Sequence, residues 1–263
     1  MAEALVIDSV KHLISECDYV ILPPTNVEDL LSIFADADFD IKVTMLDPWY
    51  NKGVGGIRDD YIPFIVDLLK KAAHISPHVF LWGFPEIIAP FVERIPESLS
   101  LNCWLTWYYK NNPSVIRGWR SAQMTCLHLT RPDAVLYPEH FLNDKQLQKK
   151  DEGKLRYMPG PPSVIESSLL VGFVGREEQT GHPAQKPESV YETLYKMTTK
   201  PGDLVLDPMC GSGTTGAVGL KLGFKSILND HDEEYLKIVE RRLNDIKVER
   251  IRSPIQKILE FAK

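Results

Sequence analysis

The chain has 263 residues, 44% of them hydrophobic, enough to bury a core as one large domain or two small ones. No apolar run approaches the roughly 20 residues of a bilayer span, and a formal net charge of −6 excludes a uniformly basic nucleic-acid binder. Cys17, Cys103, Cys126 and Cys210 lack metal-ligand or framework spacing, and Met1-Ala2-Glu3-Ala4 lacks the basic start of a secretory signal, so no metal site and a reducing cytoplasm are expected.

In chain order, Glu3 to Cys17 reads as a helix, with Leu5, Val6, Val10, Leu13 and Ile14 near the 3.6-residue period. Tyr19 to Leu22 is a short strand stopped by Pro23-Pro24, and Thr25 or Asn26 can cap a helix over Val27 to Ala35. Asp40 to Leu46 is the next strand. It runs into Asp47-Pro48-Trp49-Tyr50 and a loop, Asn51 to Asp60, that contains Gly53, Gly55 and Gly56. A helix over Tyr61 to Ala73, a strand over His78 to Trp82 and a helix over Pro85 to Ile95 follow, then strands near Leu101–Tyr108 and Met124–Leu129. Pattern is lost from Arg131 to about Ser163, a polar, proline-rich stretch expected to be functional or mobile. Glu188 to Thr198 is a helix and Asp203 to Leu206 a strand. Thr214 to Leu222 is a helix closed by Gly223, Lys225 to Leu228 a strand, and Glu233 to about Arg250 a charged helix. Repeated strand–helix units with apolar strands predict one α/β domain, its mostly parallel twisted sheet covered by helices on both faces.

Two strands end in Asp-Pro. In open α/β sheets ligands bind beyond the carboxyl ends of strands, where strand order reverses. The second such end continues as Asp207-Pro208-Met209-Cys210-Gly211-Ser212-Gly213-Thr214-Thr215, and Gly211-x-Gly213-x-x-Gly216 formally satisfies a dinucleotide fingerprint. Asp207 and Asp230, at the ends of consecutive strands, flank that turn. A pyrophosphate would be repelled by Asp207, whereas the sulfonium and ammonium of S-adenosylmethionine are attracted to a carboxylate. The methyl donor is therefore favoured over a nicotinamide cofactor. At the first end, the Asp47 carboxylate and the Pro48 carbonyl form an acceptor pair. Two such acceptors can pull an exocyclic amine towards tetrahedral geometry and expose its lone pair. Tyr50 offers a face on which a flipped base can stack.

With His182-Pro183-Ala184-Gln185-Lys186-Pro187, these motifs resemble the β-class amino-methyltransferases of DNA, including their circularly permuted motif order. The resemblance covers about residues 40–245 and takes in an eighth-motif-like Lys110-Asn111-Asn112-Pro113. It implies a Rossmann-like methyltransferase fold and a target base contacted by Asp47, Pro48, Trp49 and Tyr50. Asp207, Met209, Cys210, Gly211, Ser212, Gly213 and Thr214 would line the methionine and sulfonium part of S-adenosylmethionine, and Asp230 its ribose. His182, Gln185, Lys186 and Pro187 would close over the methionyl end, with Lys186 near its carboxylate. Trp49 stands where the family has a second proline, and Ala184 where it has a threonine. An aspartate at the head of the first motif leans towards adenine N6, with cytosine N4 as the alternative and a catalytically idle DNA- or partner-binding fold as the rival from another class.

From Trp107 to Tyr157 there are nine basic residues against five acidic ones, on a chain that is acidic elsewhere. Residues 131–163 lie where the family keeps its target-recognition region. Lys145, Lys149, Lys150, Lys154 and Arg156, together with Lys110, Arg117 and Arg120, are the expected DNA contacts. DNA is the implied partner, and the resemblance adds a homodimer and a cognate restriction endonuclease.

Overall fold

The computed structural model describes residues 2–51, 56–112, 115–116 and 118–261, and side chains over 7–51, 56–112 and 118–248. Leu5, Val6, Gly53, Gly55, Pro113 and Arg117, singled out above, lie outside these.

Helix α1 (Ala2–Glu16), strand β1 (Tyr19–Ile21), helix α2 (Val27–Ala35), strand β2 (Ile41–Leu46), helix α3 (Tyr61–Ile75) and strand β3 (His78–Gly83) open the chain. A single turn α4 (Pro85–Ile88) passes into a 3₁₀ segment, Ala89–Arg94, where one continuous helix was expected; Pro90 lies at that junction, its ring unable to donate a backbone hydrogen bond. Strand β4 (Ser100–Tyr108) and strand β7 (Gln123–Thr130) form an antiparallel pair. Between them sit the two-residue strands β5 (Val115–Ile116) and β6 (Trp119–Arg120). Helix α5 (Asp144–Asp151) and strand β8 (Val164–Glu166) lead to helix α6 (Glu188–Thr198), strand β9 (Leu204–Asp207), helix α7 (Thr214–Leu222), strand β10 (Lys225–Leu228) and helix α8 (Glu233–Phe261).

The eight-stranded sheet has the order β1-β10-β9-β2-β3-β7-β4-β8, and only β7 runs against its neighbours. Side chains alternate across it, as the two-residue period of a strand requires. Leu46, Val79 and Leu81 face α2 and α3, while Val43, Met45, Phe80 and Trp82 face α6; a register shift between Ile41 and Val43 puts Ile41 on the α2 and α3 side. The stripe Phe64, Ile65, Leu68, Leu69 and Ala72 of α3 is buried, which explains a helix here despite Pro63 in its first turn. From β9 the chain proceeds outwards to β10, and from β2 outwards to β3 on the other side. The order therefore reverses between β9 and β2, where Thr44 lies opposite Leu206. The two Asp-Pro turns leave neighbouring strand ends at that reversal.

Segment 131–163 is not structureless. Asn143 and Gln146 form a reciprocal capping box that starts α5, and the preceding residues are anchored at the amino-terminal edge of the parallel strands. Arg131 N donates to Pro77 O at 2.9 Å and Tyr137 N to Met197 O at 2.8 Å. His78 Nε2 donates to the Val135 carbonyl at 3.0 Å, so its Nδ1 must accept from His128 Nε2, also at 3.0 Å. Asn102 Nδ2 completes the chain by donating to His128 Nδ1 at 3.1 Å. Burial holds both rings neutral, lowering His78 to about 4 and His128 to about 3.

Candidate active site

Asp47 emerges from β2 with its two oxygens differently engaged. Oδ2 is held by the ammonium of Lys186, which is only 2% exposed and lies 5.2 Å above the Trp82 ring. Oδ1 is buried and has no hydrogen-bond partner. Burial opposes the Lys186 charge, but Asp47 together with Tyr50 and Cys126 outweighs it, so the ammonium titrates above its ordinary range. Lys186, expected beside the cofactor's carboxylate, is thus tied to the first Asp-Pro turn.

The rings of the first motif part to opposite sheet faces. Trp49 packs on Tyr61 and Phe64 of α3, at centroid distances of 5.4 and 5.5 Å, and its carbonyl accepts from the Tyr61 hydroxyl at 2.6 Å. The bulk that stands where the resembled family has a proline is therefore housed under α3. Tyr50 packs on Phe84 at 4.6 Å, and its hydroxyl reaches Met124 Sδ at 3.7 Å.

Across the switch point, Asp207 is 2% exposed and accepts from Thr215 Oγ1 at 2.5 Å and from Met209 N at 3.2 Å. Burial outweighs those bonds and raises its carboxyl to about 7, with Asp47 and Asp230 adding to the rise. Asp230 accepts from Gly211 N and Asp232 N, each at 3.0 Å. Three carboxylates and one buried ammonium leave this crevice net negative, the charge that a sulfonium and an ammonium require.

The turn itself is shaped by its glycines. Gly211 and Gly213 have φ of 49° and 73°, and a Cβ on Gly211 would lie 3.0 Å from His182 Nε2. The His182 ring sits on Gly211 and edge-on to Tyr235 at 4.3 Å. Its Nδ1 accepts from Ala184 N at 3.2 Å and burial lowers its basicity, so the neutral ring carries its proton on Nε2. Gly216 serves packing: a Cβ there would come within 2.8 Å of Leu228 and Leu243. A Cβ on Gly213 would meet Val239 at 2.9 Å. Gly213→Ala is therefore expected to lose about 1–3 kcal/mol in urea denaturation, with part recovered when Val239→Ala makes room.

The remaining motif residues knit the two turns together. Thr214 Oγ1 donates to the Lys186 carbonyl at 3.1 Å and accepts from Arg242 Nη1 at 3.2 Å. Arg242 also donates to Ser212 O at 3.0 Å and to Glu188 at 2.9 Å. Cys210 is buried, its N–H on Asn229 O at 2.8 Å. Gln185 spends its amide within the His-Pro segment, accepting from Thr180 at 2.9 and 2.8 Å and donating to Glu178 O at 2.7 Å. Pro187 caps α6, and Pro48 is buried. Sequence reasoning did not select Thr215, although it stood in the quoted motif. It also passed over Arg242, whose place on a charged helix gave no signal.

The expected DNA contacts are not gathered at this site. Lys110 is at the carboxyl edge of the sheet, paired with Glu166 at 2.6 Å, and Arg120 is exposed on β6. Lys145, Lys149 and Lys150 are on α5, with Lys154 (paired with Glu152 at 2.8 Å) and Arg156 just beyond. The segment before α5 bonds to Lys196 and Met197 at the far end of α6, a helix whose 11 residues span about 16 Å.

A mostly parallel α/β sheet with acidic strand ends and a glycine turn at its switch point defines a Rossmann-like S-adenosylmethionine-dependent methyltransferase. Residues 57–241 match the DNA methylase family model of N6-adenine and N4-cytosine enzymes, and the chain belongs to that family. The DNA adenine methyltransferase YhdJ of Escherichia coli K12 is 44% identical over 227 residues, 78% of this chain and 76% of YhdJ. The type II methyltransferase M.HpaI of Haemophilus parainfluenzae is 28% identical over 220 residues, 78% of this chain and 68% of that protein. Among solved structures, the M1.HpyAVI–SAM complex superposes with a TM-score of 0.66 at 18% identity, over 86% of this chain and 99% of that one. The cytosine-N4-specific PvuII DNA methyltransferase gives 0.60 at 18%, over 88% and 91%. Both structures bear on the fold alone. Among the described residues no helix is long and apolar enough to cross a membrane, and no three or more His, Cys, Asp or Glu side chains are grouped to hold a metal ion.

Proposed function

We propose that the chain transfers a methyl group from S-adenosylmethionine to the exocyclic N6 amine of an adenine flipped out of DNA. The observation that carries this reading is the divided Asp47 carboxylate, one oxygen neutralised by Lys186 and the other buried with no partner. A buried acceptor left unpaired costs free energy unless a ligand supplies the donor, and an amino group has two hydrogens to give. Adenine rather than cytosine is supported by the likeness to YhdJ and by an aspartate at the head of the motif.

When bound, S-adenosylmethionine supplies an electrophilic methyl group. Asp47 Oδ1 accepts one amino hydrogen and the Pro48 carbonyl the other, which turns the nitrogen lone pair out of conjugation. Tyr50, backed by Phe84, receives the face of the base. Asp207 and the Met209–Thr214 turn cradle the donor's charged end, His182 closes the cradle over Gly211, and Asp230 faces the ribose. Lys186 fixes the acceptor geometry of Asp47.

The test is to incubate the protein with the cofactor and unmethylated phage DNA, digest to nucleosides and analyse by mass spectrometry. N6-methyldeoxyadenosine is the expected product; N4-methyldeoxycytidine alone would overturn the choice of base.

A further inference from the structure

Two loops rise from the carboxyl edge of the sheet beside the base pocket. The first joins β4 to β7: Tyr109 N donates to Ala122 O at 2.9 Å, Asn112 Nδ2 donates to Ser121 O at 2.7 Å, and β5 and β6 form its outer part. The second follows β8. It starts where Ser167 N meets Tyr108 O at 3.1 Å and ends where Gln185 Nε2 meets Glu178 O at 2.7 Å, next to Lys186. Asn111 ties the loops together, exchanging two 2.8 Å hydrogen bonds with the backbone of Leu169.

Each loop holds an aromatic ring out in solvent. Trp119 is 83% exposed and Phe173 is 82% exposed. Rings of this size dominate cores and interfaces, and here each is held out on one of two joined loops. Each also stands beside an arginine. Arg120 follows Trp119 and is exposed, and the Arg176 guanidinium lies 4.2 Å from the Phe173 ring centroid. Aromatic faces with guanidinium groups suit a partner that offers stacked bases and phosphates. The position selects the same partner, because a base drawn into the neighbouring pocket leaves an unstacked gap in its duplex. Apolar wedges inserted between base steps are an established device for holding such a gap.

We propose that these joined loops, rather than segment 131–163, are the lip that grips duplex DNA, and that Trp119 enters the stack in place of the extruded base. Arg120 and Arg176 then meet flanking phosphates. The inference rests on the base-flipping methyltransferase reading above.

The test compares Trp119→Ala with the wild type on native and heat-denatured unmethylated phage DNA, following transfer of radiolabelled methyl groups. The kcat/KM on native DNA should fall roughly 5- to 150-fold, the range that loss of one base–aromatic stack corresponds to. The loss on denatured DNA should be at least fivefold smaller, and Trp119→Phe should recover most of it. Calorimetric affinity for S-adenosylmethionine, measured without DNA, shows that the variant is folded. Equal losses on both substrates, no loss on native DNA, or a change of oligomeric state in light scattering would overturn the wedge. A wild-type protein that methylates neither substrate would instead sink the methyltransferase reading, so the two failures are distinguishable.

Discussion

Asp47→Ala should slow methyl transfer by about 10²- to 10³-fold, the usual worth of a preorganised hydrogen-bond partner at the reacting group, and should also destabilise the fold. The second effect follows from Lys186. Its ammonium is 2% exposed and has Asp47 as its ion-pair partner. Removing one member of a buried pair strands the other charge, which costs about 3–5 kcal/mol. Lys186→Met strands the Asp47 carboxylate and should be destabilising to a similar degree. The double variant, Asp47→Ala with Lys186→Met, removes both charges and should regain most of that stability in urea denaturation while remaining inactive. The cycle therefore separates a stability role from a chemical one. Activity that returned with stability in the double variant would refute the role given to Asp47.

That coupling also shows where sequence reasoning stops. The Asp-Pro turns, the glycine turn and the amphipathic helices were readable because their signals are local: period, proline, glycine and a charge at a strand end. Asp47 and Lys186 are 139 positions apart, and nothing in either motif says that the lysine of one reaches the aspartate of the other. Only the sheet order, which sets β2 beside β9 and α6 beneath both, brings them into contact. The same limit applies to segment 131–163. Its lysines suggested a DNA surface, but the bonds of Arg131, Val135 and Tyr137 to residues at the opposite edge decide where it sits. Asn143 and Gln146 form the capping box of α5, but the polar composition around them hid the helix. Strands β5, β6 and β8, of two or three residues each, are too short for any periodicity to show.

Asp207→Asn should stabilise the protein at alkaline pH and weaken its hold on the cofactor. Burial raises the Asp207 carboxyl to about 7, against an ordinary value near 3.9, a difference worth about 4 kcal/mol. Because the folded state holds this proton more tightly than the unfolded chain, its contribution is full below about pH 4. It is lost as pH rises to about 7, and above that the fold bears a buried, ionised carboxylate. Asparagine carries no such charge and fits the same bonds. Its carbonyl can accept from Met209 N, and its amide can donate to Thr215 Oγ1, which in turn can donate to the Tyr195 hydroxyl 2.8 Å away. Unfolding free energies at pH 8 should therefore favour the variant by up to about 4 kcal/mol, with the gain shrinking towards zero near pH 4. Calorimetry should give the opposite ranking for S-adenosylmethionine. The wild type binds this cation more tightly at pH 8 than at pH 6, by up to about tenfold, because only the ionised carboxylate attracts it. The variant should bind weakly at both pH values. A variant no more stable than the wild type at pH 8, with unchanged cofactor affinity, would show that Asp207 is neither the strained nor the cofactor-facing carboxylate of this crevice.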